Sequence, residues 1–432
     1  MTQESTNGDS PAPDGAAHLF AEFDAPAYEA WREATVSSLK GVPFEKLITR
    51  TYEGIDLQPL YRAEDAADLA HVATLPGKPP YVRGSDATGY LEQPWAIAQE
   101  IGAATPSEFN RRLLHDLQRG QNAVNLIFDA SGRRGVPMQD ARDVGAALAN
   151  VDLAAVPLLL HCGADAAPAA ALLMAALPSD AAIAGAIDND PVGELAAAGT
   201  LPASRDALYD EMAMLTRWAA ANAPALRTIS VRGDRYQNAG ADVVTELAAA
   251  LAAGVAYVRA MQARDLPVDT TAGSLTFVFG LGSNFFMEVA KLRAARLLWS
   301  QVIEAFGGNA AAQRMVIHAR TADWNKTVYD PYVNMLRVTT EAFAGAVAGV
   351  QSMHVAPFDA PIREADEFSR RMARNTQLIL QEECSLTRLI DPAGGSWYVE
   401  RLTDELARAA WQRVQAIETA GGLAAARADG TV

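Results

Sequence analysis

The stretch LTFVFGLGSNFFMEVAKLRAARLLWSQVIEAF, at residues 275–306, decides the fold. Its first five residues are apolar or β-branched, which is typical of a buried strand. A turn with two glycines follows, and a long segment with helical spacing begins at Asn284. A strand that passes through a short turn into a helix is the unit from which parallel β/α proteins are built.

The same unit recurs along the chain. Eight short apolar runs lie at residues 124–128, 156–160, 183–187, 228–231, 256–258, 275–279, 315–318 and 349–353. The helical segments between them include 138–150, 167–177, 205–222, 243–252, 284–306 and 332–348. Eight units close a barrel, so the sequence predicts an α/β fold of the (β/α)8 TIM-barrel type. A doubly wound open sheet is the alternative, because periodicity does not show closure.

The regions around these units have their own composition. Residues 1–16 are rich in Ser, Pro, Gly and Asp and are predicted to form a disordered tail. Residues 17–80 are predicted to form an N-terminal arm and lead-in, with an amphipathic helix over 20–47 whose apolar positions are Trp31, Val36, Leu39 and Leu47. A surface helix that packs on its own chain is the alternative for this arm. Residues 81–432 are predicted to form the barrel, which ends in flanking helices at 368–384 and 402–418.

The composition excludes several classes of protein. The 432 residues carry a formal net charge of −16, and phosphate contacts need Lys and Arg, so a binder of nucleic acid or anionic membranes is not expected. Two cysteines, Cys162 and Cys384, are too few for a disulfide framework or a cysteine-rich metal site. We find no secretory signal pattern and no uncharged apolar run of about 18 residues, so a cytoplasmic protein is expected.

The residues that follow the carboxyl ends of barrel strands form the active site in proteins of this architecture. The sequence contains no HExxH, GxSxG or GxxxxGK[ST] motif. Asp188 and Asp190 are candidates for cation binding or for helix capping, and His318 for an acid, a ligand or a structural group. Asp234 and Arg235 are adjacent and have the charges to pair with each other. Further polar residues at the strand ends are Asp129, His161, Cys162, Asn189, Arg232, Arg259, Arg320, Gln351, Ser352 and His354.

Several longer motifs resemble one family. The segments NFFMEVAKLRAARLLW (284–299), DPYVNMLRVTTEAFAGAVAGVQSMH (330–354), RRMARNTQLILQEE (370–383) and DPAGGSWYVERLT (391–403) are similar to the barrel domain of the cobalamin-dependent acyl-CoA mutases, as are YVRG (81–84) and PWAI (94–97). They follow the family's order from about residue 50 to the C-terminus. The resemblance implies a barrel that holds a CoA ester along its axis and opens on a cobalamin carried by a separate flavodoxin-like domain.

The resemblance also assigns residues to the family's substrate positions, and most of these are replaced. Glu100 stands where active members have a tyrosine, and Asp188 where they have a glutamine. Asp234 and Arg235 replace a Tyr-His pair, and Ala198 replaces the arginine that pairs with the substrate carboxylate. Burying that carboxylate without its arginine costs several kcal/mol. Arg320 replaces a glutamine, and Gln93 and Ala98 replace arginines that bind CoA phosphates. Four substrate- or CoA-facing residues are the same as in the family: Thr88, His318, Gln351 and Ser352.

This combination resembles the small (β) subunits of heterodimeric methylmalonyl-CoA mutases, which the motif DNDP (188–191) also favours. The resemblance implies an isomerase complex of propionate metabolism that interconverts methylmalonyl-CoA and succinyl-CoA, with this chain as the non-catalytic partner of the large subunit. Adenosylcobalamin is then bound by the large subunit, because this chain lacks the DxHxxG motif and no cobalamin-binding domain is expected in it; no metal site is expected either. A divergent active barrel that works with a separate cobalamin-binding subunit is the alternative.

The replaced residues predict a plug in the barrel. Glu100, Asp188, Asp234, Arg235 and Arg320 fall at strand ends that face the barrel axis, and their charges are of both signs. Buried charges are tolerated only when they are paired. We therefore predict that Arg235 or Arg320 pairs with at least one of the acids across the barrel mouth, and that the pairing closes the axis to a CoA chain.

Overall fold

The computed structural model describes residues 27–129, 135–178, 181–428 and 430. The predicted tail at residues 1–16 and the first residues of the predicted arm lie outside these ranges. The chain divides into two compact units, with the boundary between Pro59 and Leu60. The division into an arm and lead-in at 17–80 and a barrel domain at 81–432 stays a prediction.

The described part of the first unit is a short helix followed by a turn and a hairpin. Helix α1 spans Tyr28–Ser38, a 3₁₀ turn spans Phe44–Leu47, and strands β1 (Thr49–Arg50) and β2 (Asp56–Leu57) pair antiparallel. The ring of Trp31 packs edge-on against Phe44, with the centroids 6.0 Å apart. The helix predicted through residue 47 is wrong in extent, because Lys40 and Gly41 adopt positive φ angles of 50° and 93° that end the helix.

The second unit is built around parallel strands. Their segments are β3 (Ala96–Ile97), β4 (Val124–Ile127), β5 (Leu158–His161), β6 (Gly185–Asp188), β7 (Leu226–Arg227), β8 (Ile229–Arg232), β9 (Leu275–Leu281), β10 (Ile317–Thr321) and β11 (Ser352–His354). One sheet has the order β3-β11-β10-β9-β8 and the other β4-β5-β6-β7. Every neighbouring pair in these two sheets is parallel.

Two contacts join the sheets into a closed barrel. Glu100, just after β3, bridges Asn125 of β4 in parallel. The backbone N–H of Ser230 in β8 donates to the carbonyl of Asn189, just after β6, at 3.3 Å. Segments β7 and β8 are halves of one strand interrupted at Thr228, so the described chain has eight strand positions. The predicted (β/α)8 barrel is confirmed, and the open doubly wound sheet is wrong.

One predicted strand is wrong. Residues 256–258 lie inside helix α8 (Val243–Gln262), and the remaining strand position is taken by β3. Most residues of α8 are buried on all sides, so its sequence lacks the polar stripe that marks a surface helix. Strand β3 is only two residues long and lies shortly after Pro94. Two residues are too few to show the alternation from which a strand is predicted.

The helices surround the barrel near their predicted positions. They are α2 (Pro106–Leu117), α3 (Ala141–Ala147), α4 (Ala166–Ala176), α5 (Pro191–Ala198), α6 (Arg205–Asn222), α7 (Asp234–Asn238), α9 (Val268–Gly273), α10 (Phe285–Ala305), α11 (Val333–Ala348), α12 (Glu367–Leu378), α13 (Trp397–Thr419) and α14 (Leu423–Ala428). Among the described helices, α8 is long and apolar enough to cross a membrane, but 78% of that window is buried inside the protein. Its burial is that of a core helix.

Helix α10 lies in the stretch that decides the fold. Its buried charged side chains form ion pairs with neighbouring helices of the barrel wall. Lys291 lies between Glu246 and Glu288, with its Nζ 2.6 Å from Glu288 Oε2. Arg293 pairs with Glu400 at 2.8 Å and also with Asp391. These pairs connect α10 to α8 and α13, and a buried charge without a partner would cost several kcal/mol.

Candidate functional site

A buried ion network crosses the barrel at the carboxyl ends of the strands. Arg320, in β10, donates from Nε to Glu100 Oε1 at 2.7 Å and from Nη2 to Glu100 Oε2 at 2.9 Å. Its Nη1 donates to Asp234 Oδ2 at 3.0 Å. The bidentate contact is the strong geometry of a guanidinium–carboxylate pair. The prediction that Arg320 pairs with an acid across the mouth is confirmed.

Arg232, the last residue of β8, extends the network to the next strand. It holds Asp234 by two hydrogen bonds of 2.8 and 2.7 Å. Its Nη1 donates to Asp188 Oδ2 at 2.8 Å, and the Nδ1 atom of His161 lies 3.3 Å from the same oxygen. Carboxylates and guanidinium groups therefore alternate from one side of the mouth to the other.

The pairing keeps these acids ionised although they are buried. Burial raises the pKa of Glu100, but the charge of Arg320, the neighbouring histidines and the hydrogen bonds from Arg320 together outweigh burial and hold the pKa well below the ordinary value. Burial likewise opposes ionisation of Asp188 and Asp234, and Arg232 lowers the pKa of both. Because each acid stays charged, removing one arginine would leave an uncompensated charge in the barrel.

Two histidines next to the network are held neutral. His354 Nδ1 accepts the backbone N–H of Glu100 at 3.1 Å, and burial lowers the His354 pKa to about 4. His318 Nδ1 lies 2.8 Å from Ser352 Oγ, and burial lowers the His318 pKa well below its usual range. The matched residues His318 and Ser352 are thus brought together in the barrel interior.

The cavity that the described residues form beside the network is small. A cavity of about 10 Å³ is lined by His161, Asp188, Ser230, Thr276 and His318, together with apolar strand residues. That volume is close to the least that holds one water molecule. A pantetheine chain does not fit there.

The other predicted residues lie elsewhere. Arg235 pairs with Glu194 and not with Asp234, so its predicted place in the plug and the pairing of Asp234 with Arg235 are both wrong. The reason is that Arg235 lies within α7, where it faces α5. Ala198 is solvent-exposed as the last residue of α5. Asp190 caps α5 by accepting from Gly193 N at 2.9 Å, so helix capping is confirmed for it.

Thr88 and Gln351 lie at the opposite end of the barrel, before the first residues of the strands. Both line a cleft of about 350 Å³. Gln93, which stands in place of a CoA-binding arginine, and Trp95 line the same cleft. Gln351 Oε1 is already used, because it accepts the backbone N–H of Ile317 at 2.8 Å. The four residues that match the family are therefore divided between two places. Thr88 and Gln351 line the cleft at the amino end, and His318 and Ser352 lie in the barrel interior.

Arg232 is the residue whose role the sequence reasoning missed. It was one of many polar residues at strand ends, but it contacts both Asp188 and Asp234. The sequence ISVRGD (229–234) does carry a signal for the pair with Asp234, because Arg232 ends the strand two residues before that acid. Its link to Asp188 joins residues 44 positions apart, which no local pattern reveals.

Several titratable groups of the network have pKa values shifted away from neutral pH. Proton transfer is efficient from groups that titrate near the working pH. The acids of the network titrate far below it, and the Cys162 thiol is buried with a raised pKa. Within the described ranges, no group of three or more His, Cys, Asp and Glu side chains is placed to hold a metal ion.

Fold and site together define a TIM-barrel protein with a network of ion pairs at the carboxyl ends of its strands. The model of the methylmalonyl-CoA mutase family matches residues 50–432. The chain belongs to the methylmalonyl-CoA mutase family, and the predicted family is confirmed.

The relatives include proteins named for both kinds of subunit. The chain is 40% identical over 97% of its length to a methylmalonyl-CoA mutase small subunit of Streptomyces virginiae, of which it covers 68%. It is 37% identical over 92% of its length to the large subunit of the same organism, of which it covers 57%. A methylmalonyl-CoA mutase of Cereibacter sphaeroides is 37% identical over 93% of this chain. The chain spans 60% of the length of that last protein.

Proposed function

We propose that this chain is the non-catalytic small subunit of a heterodimeric methylmalonyl-CoA mutase in the cytoplasm. In this proposal its partner is the large subunit, and the complex interconverts methylmalonyl-CoA and succinyl-CoA. The family and the names of the relatives support an isomerase with more than one kind of subunit.

One observation carries the non-catalytic role: the pairing of Arg320 with Glu100 and Asp234 across the mouth. A CoA ester that reached the carboxyl ends of the strands would have to separate these pairs. Separating a buried pair costs several kcal/mol, because the charges lose their partners before any new ones are found. An anionic substrate would also face Glu100, a like charge.

The same contacts bear on adenosylcobalamin, the cofactor that the family implies. At the mouth, Arg320, Glu100 and Asp234 are committed to one another, so they do not fit a role in orienting a corrin or the acyl group beneath it. We therefore assign the cofactor to the large subunit and derive no reaction step through it on this chain.

The test is co-expression with the large subunit from the same organism, followed by co-purification and an assay of succinyl-CoA formation with added adenosylcobalamin. We expect the two chains to purify together and the complex to turn over substrate. The chain alone, and the chain combined with an inactivated large subunit, should show no turnover. Turnover by either of these samples would overturn the non-catalytic role.

The alternative, an active barrel that works with a separate cobalamin-binding subunit, is favoured by one observation. His318 is retained, and its Nε2 atom is buried without a partner among the described residues. Titration with a CoA ester distinguishes the two proposals. Saturable binding that is lost in His318→Phe but not in Thr88→Ala would favour an active barrel; we expect no saturable binding to the interior.

A further inference from the structure

A band of large apolar side chains is exposed on the second unit. It follows the loop after β10, the outer face of α11, and the first turns of α10, α12 and α13. We call this set the apolar band; its members are Phe286, Trp324, Val328, Tyr329, Tyr332, Leu336, Phe343, Ile362, Phe368 and Trp397. Exposed apolar surface that is gathered in this way marks interaction sites in soluble proteins.

Ring contacts connect members of the band in two groups. Phe286 packs on Phe285, which packs on Phe343, with centroids 5.2 and 5.0 Å apart. At the other end of α11, Tyr332 stacks on Phe358 at 5.1 Å, and Phe358 meets Phe368 at 6.1 Å. The rings beneath these members are the buried Phe358 and the partly buried Phe285.

Helix α11 joins these two ends. Tyr332, Leu336 and Phe343 are separated by four and then seven positions, which places them on one face of the helix. Leu336 is 69% exposed and Tyr332 is 61% exposed. The exposed residues of α11 are Leu336, Thr339, Thr340 and Phe343, so its outer face mixes apolar side chains with threonine hydroxyls, and none of these four residues is charged.

The edge of the band is acidic. Asp323, Asp330, Glu364, Asp366 and Glu367 are exposed in the same segments. Three of these acids have basic neighbours in the chain: Asp366 pairs with Arg363 at 2.9 Å, Glu364 pairs with Arg112 at 2.5 Å, and Glu367 lies 3.4 Å from His115 Nε2. The acidic character of the edge therefore lies mainly at Asp323 and Asp330, for which the described residues show no ion pair. A second copy of this chain would bring the same acidic edge and a further net charge of −16, so like charges oppose self-association.

We propose that the apolar band is the surface that binds the mutase large subunit, through a face of that subunit that is apolar at its centre and basic at its edge. The inference rests on the proposed function, because it names the surface used by the partner proposed there. The apolar centre supplies affinity, and the acidic edge steers association and disfavours a homodimer.

The test measures binding of full-length variants to the large subunit of the same organism, by biolayer interferometry. Leu336→Glu and Tyr329→Glu place a charge in the band at highly exposed positions, so the fold is expected to survive. Each should weaken affinity by at least about tenfold, as for central interface residues. The matched control is Met214→Glu on α6, a residue 59% exposed outside the band, which should change affinity less than about twofold.

The edge is tested with Asp330→Lys, which should slow association at low salt by about tenfold and have a smaller effect at high salt. If the wild type binds the large subunit and the band variants bind equally well, the surface is wrong while the proposed function stands. If the wild type does not bind, both the surface and the proposed heterodimer fail. If the chain alone forms a dimer that Leu336→Glu dissociates, the occupant is a second copy and the inference is overturned.

Discussion

The two ends of the barrel differ in what fills them. At the carboxyl end, Arg320 and Arg232 hold the buried acids Asp188 and Asp234 and the partly buried Glu100, and the neighbouring cavity is about 10 Å³. At the amino end, a cleft of about 350 Å³ stays open, and its polar residues Thr88 and Asp86 are exposed. Ion pairs occupy the carboxyl end, whereas the amino end is accessible to solvent.

The difference teaches that the frame of a barrel and its ligand site are separately encoded. The frame depends on apolar strands and on the buried pairs of α10, such as Lys291 with Glu246. The residues at the mouth lie at strand ends, outside these pairs, so the barrel frame does not by itself dictate which side chains stand there. Because the charges at the mouth are buried, the carboxyl end is also where a single substitution should be most costly.

The largest effect is expected at Arg320. Arg320→Met leaves Glu100 without its bidentate partner and Asp234 with one arginine fewer, at a cost of about 3–5 kcal/mol in the free energy of unfolding. The double variant Glu100→Met/Arg320→Met removes both charges and should recover much of that loss, since Asp234 keeps Arg232. Urea denaturation of the wild type and both variants measures this. Equal destabilisation by the single and double variants would contradict the pairing.

The next effect is the acid sensitivity of the carboxyl end. His354 has a pKa of about 4 in the folded state, below the 6.5 of an exposed histidine, so unfolding takes up a proton between these values. Stability should therefore fall as pH drops from about 6.5 to about 4, by on the order of 3 kcal/mol. His354→Gln keeps an acceptor for the Glu100 N–H and should flatten this part of a melting-temperature profile. His318, whose pKa is also lowered, supplies the remaining slope.

The sequence predicted the frame better than the site. Helix α6 has the predicted bounds of 205–222, because its segment is long and ends at clear breaks. Strand β3 was not predicted, because a two-residue strand carries no period. The helix predicted at 243–252 is present as the first half of α8, but its second half was predicted in part as a strand at 256–258, because a helix buried on all sides shows no polar stripe. Local patterns predict elements only where one face differs from the other.

At the site, strand-end position and the family resemblance together identified Glu100, Asp188, Asp234 and Arg320. They did not predict the partners, because pairing depends on side-chain reach across the barrel. Arg235 is one position from Asp234 yet pairs with Glu194, while Arg320 reaches Asp234 from 86 positions away. Adjacency in sequence was therefore a poor guide to ion pairing.

At the amino end, backbone conformation should matter more than charge. Gly349, which lines the cleft, ends α11 with a φ angle of 80°, and a Cβ atom added there would have no neighbouring atom within 4 Å. Gly349→Ala therefore meets no clash and should cost only the left-handed backbone penalty of about 1 kcal/mol. Thermal denaturation compares it with Gly145→Ala, inside α3, which also has free space and should be neutral or stabilising.

The smallest effect is expected for an ion pair at the open end. Arg314 Nη1 lies 3.9 Å from Asp86 Oδ1, and the two side chains are 47% and 54% exposed. Water solvates both charges, so removing one leaves no buried charge behind, in contrast to Arg320. Arg314→Met should change the free energy of unfolding by less than about 1 kcal/mol, and the change should shrink further in high salt. Urea denaturation at low and high salt measures it. A loss as large as that of Arg320→Met would show that the amino end is held by buried electrostatics too, and the contrast between the two ends would fail.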